Sequence, residues 1–567
     1  MESGPAFDGR LARMEDEPLP DSGRLEDLLK SIDGRSYPSY KRLKGRWELG
    51  QTTLFIDHVQ GDPFAAPSKV RIRVHTDVPK EVCLNPQQKL AAEDWLLRAF
   101  SQGLSGHRRG SGKSGEIRVY RPGPEVVERS ALRLDSQGFA EVRMEVGLPA
   151  RGRRVLGREA WELLSEDLPT AAARLGVAPS MAPHIHSVMR QQSLRAALDE
   201  AGLVAFIADG SCLPRASGIS QAPLDGAVPF LSPPSLSVTL PTCEGPVTGM
   251  GIPRGVTLIV GGGFHGKSTL LQAIERGHLD HIPGDGRERV VARPDAAKVR
   301  AEDGRPVRGV DISAFLGDQP GGRGTRPFST DDASGSTSQA AAIMESIEAG
   351  AGLLLLDEDT SASNLLVRDA RMRQLIPAAR EPITSLVQRV QQMHQAWGVS
   401  MVLVAGGVGD YLAVADTVIG MNRFHAEDMS KQARSIAGEL PDSPGPLRKP
   451  LTRRPQRAGL EPGKVRARDT RRVDYNRQEI DLTAVDQVID SAHAATLGHA
   501  IAVLHGHIVD GNRTLSECLV ALERLMGADG VEALSPREYP DGRLVRPRTI
   551  EVAAALNRLR SLRVSPK

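Results

Sequence analysis

The alternation of apolar and polar positions divides the chain into a β-rich beginning, a mixed middle and a helical end. Leu25, Leu28, Leu29 and Ile32 recur at helical spacing and predict a short amphipathic helix. Val70, Ile72 and Val74 alternate with Arg71 and Arg73, which predicts a strand with one basic face. Ala92, Leu96, Ala99 and Phe100 return to helical spacing, and strand patterns follow at about 116–121, 126–134 and 139–146. Gly157 to Gln192 reads as helix, Leu203 to Ser211 as a buried strand and turn, and Ile480 to Leu562 as helix again. Val256–Val260, Leu353–Leu356 and Met401–Ala405 are short continuous apolar runs, each the length of a buried strand. The expected organisation is a disordered tail at 1–24, an N-terminal α+β domain at 25–156, a helical connecting segment at 157–240, a core at 241–439, a Pro/Arg-rich linker at 440–475 and a helical domain at 476–567.

The first apolar run carries chemistry. Val256–Val260 leads directly into Gly261-Gly262-Gly263-Phe264-His265-Gly266-Lys267-Ser268, and Thr269 to Ile274 continues as an apolar helix. This is G-x-x-x-x-G-K-S between a strand and a helix, the context a phosphate-binding loop requires. Glycines let successive N–H groups curl around one anion, and the helix N-terminus adds partial positive charge. Lys267 can reach the β- and γ-phosphates, Ser268 can ligate Mg²⁺, and Thr269 completes the first helical turn. The run Leu353–Leu356 ends in Asp357-Glu358. Asp357 is placed to hold Mg²⁺ through water and Glu358 to polarise an attacking water. Between the two lies Ala333-Ser334-Gly335-Ser336-Thr337-Ser338-Gln339, a hydroxyl- and glycine-rich helix start suited to a second anion contact. Phosphate loop, Ser/Gly helix start and Asp-Glu strand follow one another in the order of ABC-type ATPases.

Longer stretches carry a resemblance. IDHVQGDPFAAPSKVR, RRGSGKSG, LVAFIADGSCLPR, GMGIPRGVTLIVGGGFHGKSTLL, RAEDGR, ASGSTSQAA and LLLLDEDTSASN run in order along the chain. On these the chain resembles the soluble, non-transporter predicted ATPases of the ABC class, from about residue 30 to the C-terminal NRLRSLR. The resemblance implies an α/β fold: an ABC-type P-loop ATPase core, a β-rich α+β N-terminal domain and a helical C-terminal region. It implies ATP and Mg²⁺ as ligands. Gly261, Gly262, Gly263, Gly266, Lys267, Ser268 and Thr269 are then the phosphate loop, with Ser334, Gly335 and Ser336 as the signature loop that caps ATP on another subunit. Lys267 and Glu358 are the catalytic pair, Ser268 and Asp357 the metal ligands, and Thr360 to Asn364 takes the D-loop place. Two complete sites then need two chains, so a head-to-tail homodimer with slow hydrolysis is expected. Three departures stand out. The signature is ASGSTSQ. Gly406-Gly407-Val408-Gly409-Asp410 stands where a switch histidine is expected. Gln319, in FLGDQPGG, is the candidate for the Q-loop glutamine.

Composition narrows the function classes. At 567 residues, 40% hydrophobic and 25% charged, the chain suits a globular protein of several domains, and no apolar run approaches the length of a membrane span. Cys83, Cys212, Cys243 and Cys518 have no metal or disulfide spacing, which suits a reducing cytoplasm, the expected location. The stretch Met1 to Gly23 has no signal-peptide pattern. The pairs His184/His186 and His505/His507 hint at a metal only if each lies on one strand, and no third ligand is nearby. Net charge is only +2, yet basic residues cluster. Arg71 and Arg73, then Arg108, Arg109 and Lys113 read as a basic strand and an exposed hairpin tip, the latter in GHRRGSGKSG. Between Arg448 and Arg477 eleven Lys/Arg face three Asp/Glu, including Arg453, Arg454, Arg457, Arg466, Arg468, Arg471 and Arg472, an exposed arm. With Tyr37, Tyr40 and Tyr120 as stacking aromatics, these segments suggest a nucleic-acid partner, RNA ahead of DNA. The alternatives are a nucleotide-binding scaffold with little hydrolysis, or an ATPase subunit serving a separate membrane partner.

Overall fold

The computed structural model describes residues 20–104, 108–176, 181–317, 324–368, 375–376, 381–439, 444–537 and 539–566. The chain forms two compact units. One comprises Met1–Pro122, Arg129–Ala182 and Arg537–Arg543, the other Gly123–Glu128, Pro183–Pro536 and Leu544–Lys567.

In the first unit six strands make an antiparallel sheet. Its order is Gly45–Leu49, Thr52–His58, Ser68–His75, Phe139–Val146, Ile117–Arg118, with Leu132–Leu134 also paired to Phe139–Val146. Ser68–His75 alternates as expected, burying Val70, Ile72 and Val74. Its basic face is neutralised. Arg71 donates to Asp57 at 2.7 and 2.9 Å and to Glu141 at 2.6 Å, and Arg73 to Asp135 at 2.6 Å. Asp57 and Glu141 lie on the two neighbouring strands, a cross-strand pairing, and Asp135 sits in the turn before Phe139–Val146. The helix Ser22–Ile32 is capped by Asp21, whose carboxylate accepts from the Arg24 N–H, and it buries Leu25, Leu29 and Ile32. Ordered structure therefore begins inside the expected tail, of which residues 1–19 lie outside the described residues.

The expected basic hairpin tip is a loop of tight turns. Arg109 donates to Glu159, Glu162 and Asp167 at 3.0, 2.8 and 2.9 Å. It is a structural cation, while Arg108 is exposed and Lys113 half-buried. His107 lies outside the described residues. Tyr37 and Tyr40 are buried, and their hydroxyls donate to the carbonyls of Leu148 and Pro149. Tyr120 lies beneath the Arg129 guanidinium, 5.2 Å from the ring centre. Tyr37 and Tyr40 thus fill the interior, and the half-buried Tyr120 ring already carries a guanidinium against it.

In the second unit a six-stranded sheet runs in the order Ala296–Lys298, Leu353–Asp357, Ser400–Val404, Val256–Val260, Thr417–Asn422, His425–Asp428. The first five strands are parallel and the last is antiparallel. A parallel sheet is covered on both faces, so its strands read as continuous apolar runs. Leu354 and Leu356 join one core with Leu258, Leu403 and Ile343; Leu353 and Leu355 join another with Ile259, Val402 and Val404. The helix Lys267–Arg276 sends Leu270, Leu271, Ala273 and Ile274 into the second core. There they meet Ile207, Met250 and Ile252 from a four-stranded antiparallel sheet, Ser237–Leu240, Val247–Pro253, Leu203–Ala208, Val290–Ala292.

The end of the chain is helical as its pattern predicts, and the stretch before it, expected as a linker, supplies part of a small sheet. Helices Ser491–Val503, Leu515–Asp529 and Thr549–Asn557 share a core with the antiparallel sheet Val465–Ala467, Arg472–Tyr475, Gln478–Asp481. The expected loose arm is largely built in. Arg453–Pro455 pairs with Val564–Pro566, and Arg453 is only 1% exposed. Arg457 donates to the carbonyls of Val509 and Gly506; Arg468 pairs with Asp474 and Glu479, and Arg472 with Asp469. Residues 440–443 lie outside the described residues. His184 and His186 sit on a helix, Ala182–Glu200, and His505 and His507 in the helical turn Leu504–Ile508. Among the described residues no His/Cys/Asp/Glu group is placed to hold a metal, and no helix is long and apolar enough to cross a membrane.

Candidate nucleotide site

Register places the candidate residues. Asp357 pairs with Val404, and Val404 with Ile259, so the end of the carboxylate strand lies two strands from the start of the loop. At the usual strand spacing that is roughly 10 Å. Gly261 (φ +143°) and Gly266 (φ +100°) bracket the loop. A Cβ at Gly261 would stand 2.3 Å from the Met421 carbonyl oxygen, and one at Gly266 2.7 Å from the Phe424 ring. Glycine is required at both by backbone angle and by space. The neighbouring turn clamps the loop further: Phe424 N–H donates to the His265 carbonyl at 3.0 Å, and Arg423 N–H to His265 Nδ1 at 3.2 Å. Gly262 and Gly263 are exposed, and Ser268 and Thr269 are half-buried in the first helical turn. Lys267 Nζ donates to the carbonyls of Gly261 and Gly262 at 2.7 and 2.8 Å, so the cation sits across the loop mouth.

The carboxylates differ in what holds them. Asp357 is 8% exposed, and its Oδ1 accepts from the Asp359 N–H at 3.2 Å. Glu358 Oε2 accepts from the N–H groups of Gly406 and Gly407 at 2.6 and 3.0 Å. Two backbone amides thus occupy the place expected of a switch histidine. The pattern of the chain names no role for them, because a Gly-Gly pair after a strand reads as a turn. Ser268 hydroxyl and Asp357 carboxylate are oxygen ligands of the kind Mg²⁺ takes beside substrate phosphates, and the glycine cradle fits a phosphate chain.

Ser334 is the N-cap of the helix Gly335–Glu348 and is exposed; Ser336 is 8% exposed. Ser334 Oγ lies 3.0 Å from Thr337 Oγ1. Gln339, which the pattern leaves without a role, is fully buried and bridges two segments. Its Nε2 donates to Ser361 Oγ at 2.8 Å and its Oε1 accepts from the Ala362 N–H at 2.7 Å. The segment at 360–364 and the helix Gly335–Glu348 are therefore one hydrogen-bonded body. Glu302, from the RAEDGR stretch, joins it: its N–H donates to Ser338 Oγ at 2.8 Å, and its carboxylate accepts from Arg558 at 2.6 and 3.1 Å. Gln319 lies outside the described residues.

Comparison with known proteins gives the family of the chain. Residues 22–177 match the family model described as the N-terminal part of ATPases of the ABC class, residues 178–453 the ABC ATPase P-loop domain, and residues 464–565 the MRB1590 C-terminal domain. The uncharacterized protein MJ1628 of Methanocaldococcus jannaschii is 32% identical over 252 residues, 43% of this chain; the chain spans 54% of that relative's length. Among solved structures, cbiO1 from Clostridium perfringens, part of the ABC transporter complex cbiONQ, is 15% identical over 41% of this chain and 92% of its own, with a TM-score of 0.25. With its loop, carboxylate strand and helix start on one α/β core, and with both the N-terminal and the P-loop models matched, the chain belongs to the ATPases of the ABC class.

Proposed function

We propose that the protein hydrolyses ATP slowly in a Mg²⁺-dependent homodimer and transmits closure to its C-terminal helices and sheet. The observation that carries this is the convergence of the Lys267 loop and the Asp357-Glu358 strand end, with Glu358 tethered to Gly406 and Gly407. Lys267 exchanges its two loop carbonyls for the β- and γ-phosphates. Ser268 and Asp357 hold Mg²⁺, which offsets charge on the phosphates. Glu358 polarises the attacking water, and the two amides that hold its Oε2 fix where the carboxylate stands. Ser334, Gly335 and Ser336 cap the nucleotide of the second chain, and a two-fold axis completes both sites.

Contacts inside the second unit support the coupling. Gln487 Nε2 donates to the carbonyls of Glu275 and Ala296, and Arg276 donates to the carbonyls of Asp486 and Gln487. The far end of the phosphate-loop helix is thus gripped by the C-terminal segment, as the signature helix is through Glu302 and Arg558. The expected result is an ATP-stabilised dimer, trapped by Glu358→Gln and seen by sedimentation at micromolar concentration. A strictly monomeric Glu358→Gln protein in Mg-ATP would falsify the sandwich. Lys267→Ala should weaken ATP binding roughly ten- to hundredfold, the worth of a hydrogen bond to a charged group.

For the partner we propose RNA, on a narrower surface than the sequence suggests. Lys464, Arg466 and Arg471 are exposed on or beside the sheet Val465–Asp481 and have no ion pair among the described residues. Fluorescence anisotropy with single-stranded RNA is the measurement. Replacing the three by Gln should lower affinity and reduce the salt slope by about 2, close to 0.7 per lost phosphate contact. Unchanged affinity and slope would remove this surface; absence of binding at low salt would remove RNA.

A further inference from the structure

A cavity of about 530 Å³ lies along the far half of the phosphate-loop helix, walled by the hairpin Arg215–Pro223 and by Lys298 and Arg300. Among the described residues, none of Gly261–Thr269 lines it. Its volume is in the range of small-ligand sites.

Its charges are unevenly satisfied. Lys298 pairs with Glu275 and Asp486 at 2.9 and 3.0 Å, Arg300 with Asp486 at 2.8 Å, and Arg215 with Asp285 at 2.7 Å. Arg276 and Arg287 are hydrogen-bonded to carbonyls instead. Arg287 is 5% exposed and donates to the Leu213 carbonyl through Nε and Nη2 at 2.9 and 2.6 Å. A carbonyl satisfies an N–H but does not neutralise a guanidinium, and a buried cation without a full counter-charge is costly. Burial and the neighbouring Arg215 push Arg287 down to about 10, and Arg276 adds to the effect. Three guanidiniums therefore converge at one end of the cavity. The carboxylates nearest to them, Asp285 and Glu275, are already bonded to Arg215 and Lys298. Glu125 and Asp357 also line the cavity and favour an anion seated at the arginine end. Ser217 and Ser220 accept from backbone N–H groups there, which leaves their hydroxyl protons to donate.

We propose that this cavity is a second anion site, which shares Asp357 with the nucleotide site but none of the phosphate loop, and binds a phosphate group through Arg215, Arg276 and Arg287. The phosphate is either free or borne by a nucleotide. Thr360 also lines the cavity, so an occupant there touches the segment that Gln339 ties to the signature helix.

The test uses the full chain carrying Lys267→Ala, to weaken binding at the loop. Inorganic phosphate, pyrophosphate and AMP are titrated by calorimetry, with thermal melting as a check on folding. Pyrophosphate should bind, and adding Gln272→Glu or Arg276→Ala should each weaken it at least tenfold. Gln272 is an exposed helix residue in the cavity wall, so its substitution leaves the core intact. Preference for AMP identifies a nucleotide as the source, and equal binding of inorganic phosphate identifies free phosphate; both support the site. No binding in the Lys267→Ala protein, or binding within twofold of it in both added variants, overturns the proposal. The comparison with Gln272→Glu decides the cavity whatever Lys267→Ala does to ATP.

Discussion

Glu358→Gln is expected to lower ATP turnover on the order of 10²-fold or more while ATP binding survives. The geometry makes this a selective change. Glutamine keeps the length of the side chain, and its Oε1 can still accept from the Gly406 and Gly407 amides that hold Glu358 Oε2 at 2.6 and 3.0 Å. The loop, Lys267 and Asp357 are untouched. What disappears is the negative charge and the capacity to take a proton from water. Phosphate release at saturating Mg-ATP, with ATP affinity measured alongside, separates the two effects. Equal turnover in the variant would take Glu358 out of the chemistry. No detectable turnover in the parent protein would favour the scaffold alternative.

Arg453→Met is expected to cost about 3–5 kcal/mol, the usual penalty for leaving a buried charge unpaired. Arg453 is 1% exposed. Its backbone N–H and Nε donate to Glu348 at 2.8 Å each, Nη2 reaches Glu348 at 2.5 Å, and Nη1 donates to the Arg308 carbonyl at 2.9 Å. One side chain thereby ties the end of the helix Gly335–Glu348 to the pair Arg453–Pro455 and Val564–Pro566. The companion Arg453→Met/Glu348→Met should recover most of the loss, because an apolar pair of similar volume replaces both charges. Urea unfolding of the parent, single and double variants measures this. A shift below about 1 kcal/mol in the single variant would mean that Arg453 does not anchor this segment.

Part of this is legible in the chain alone. The phosphate loop spans eight consecutive residues, and its glycines, lysine and serine act through backbone angles and N–H groups that neighbours in sequence share. The run Leu353–Leu356 announced a strand buried on both faces because each of its leucines has to find apolar cover. Repeating local signals of this kind carried the α/β core and the order of its motifs.

Charge was misjudged for the opposite reason. Arg71, Arg73, Arg109 and Arg453 read as free cations, yet each is neutralised by carboxylates that are remote in sequence; Glu348 is 105 residues from Arg453. The amides that hold Glu358 are 48 and 49 residues away, and Gln339 meets Ser361 and Ala362 across 22 and 23. A local motif is fixed by bond geometry over a few residues, so the sequence by itself determined the phosphate loop and the strands that carry it. Whether a cation is exposed, and what a carboxylate accepts from, depends on which segments the packed core brings together, and the tertiary structure alone decided those.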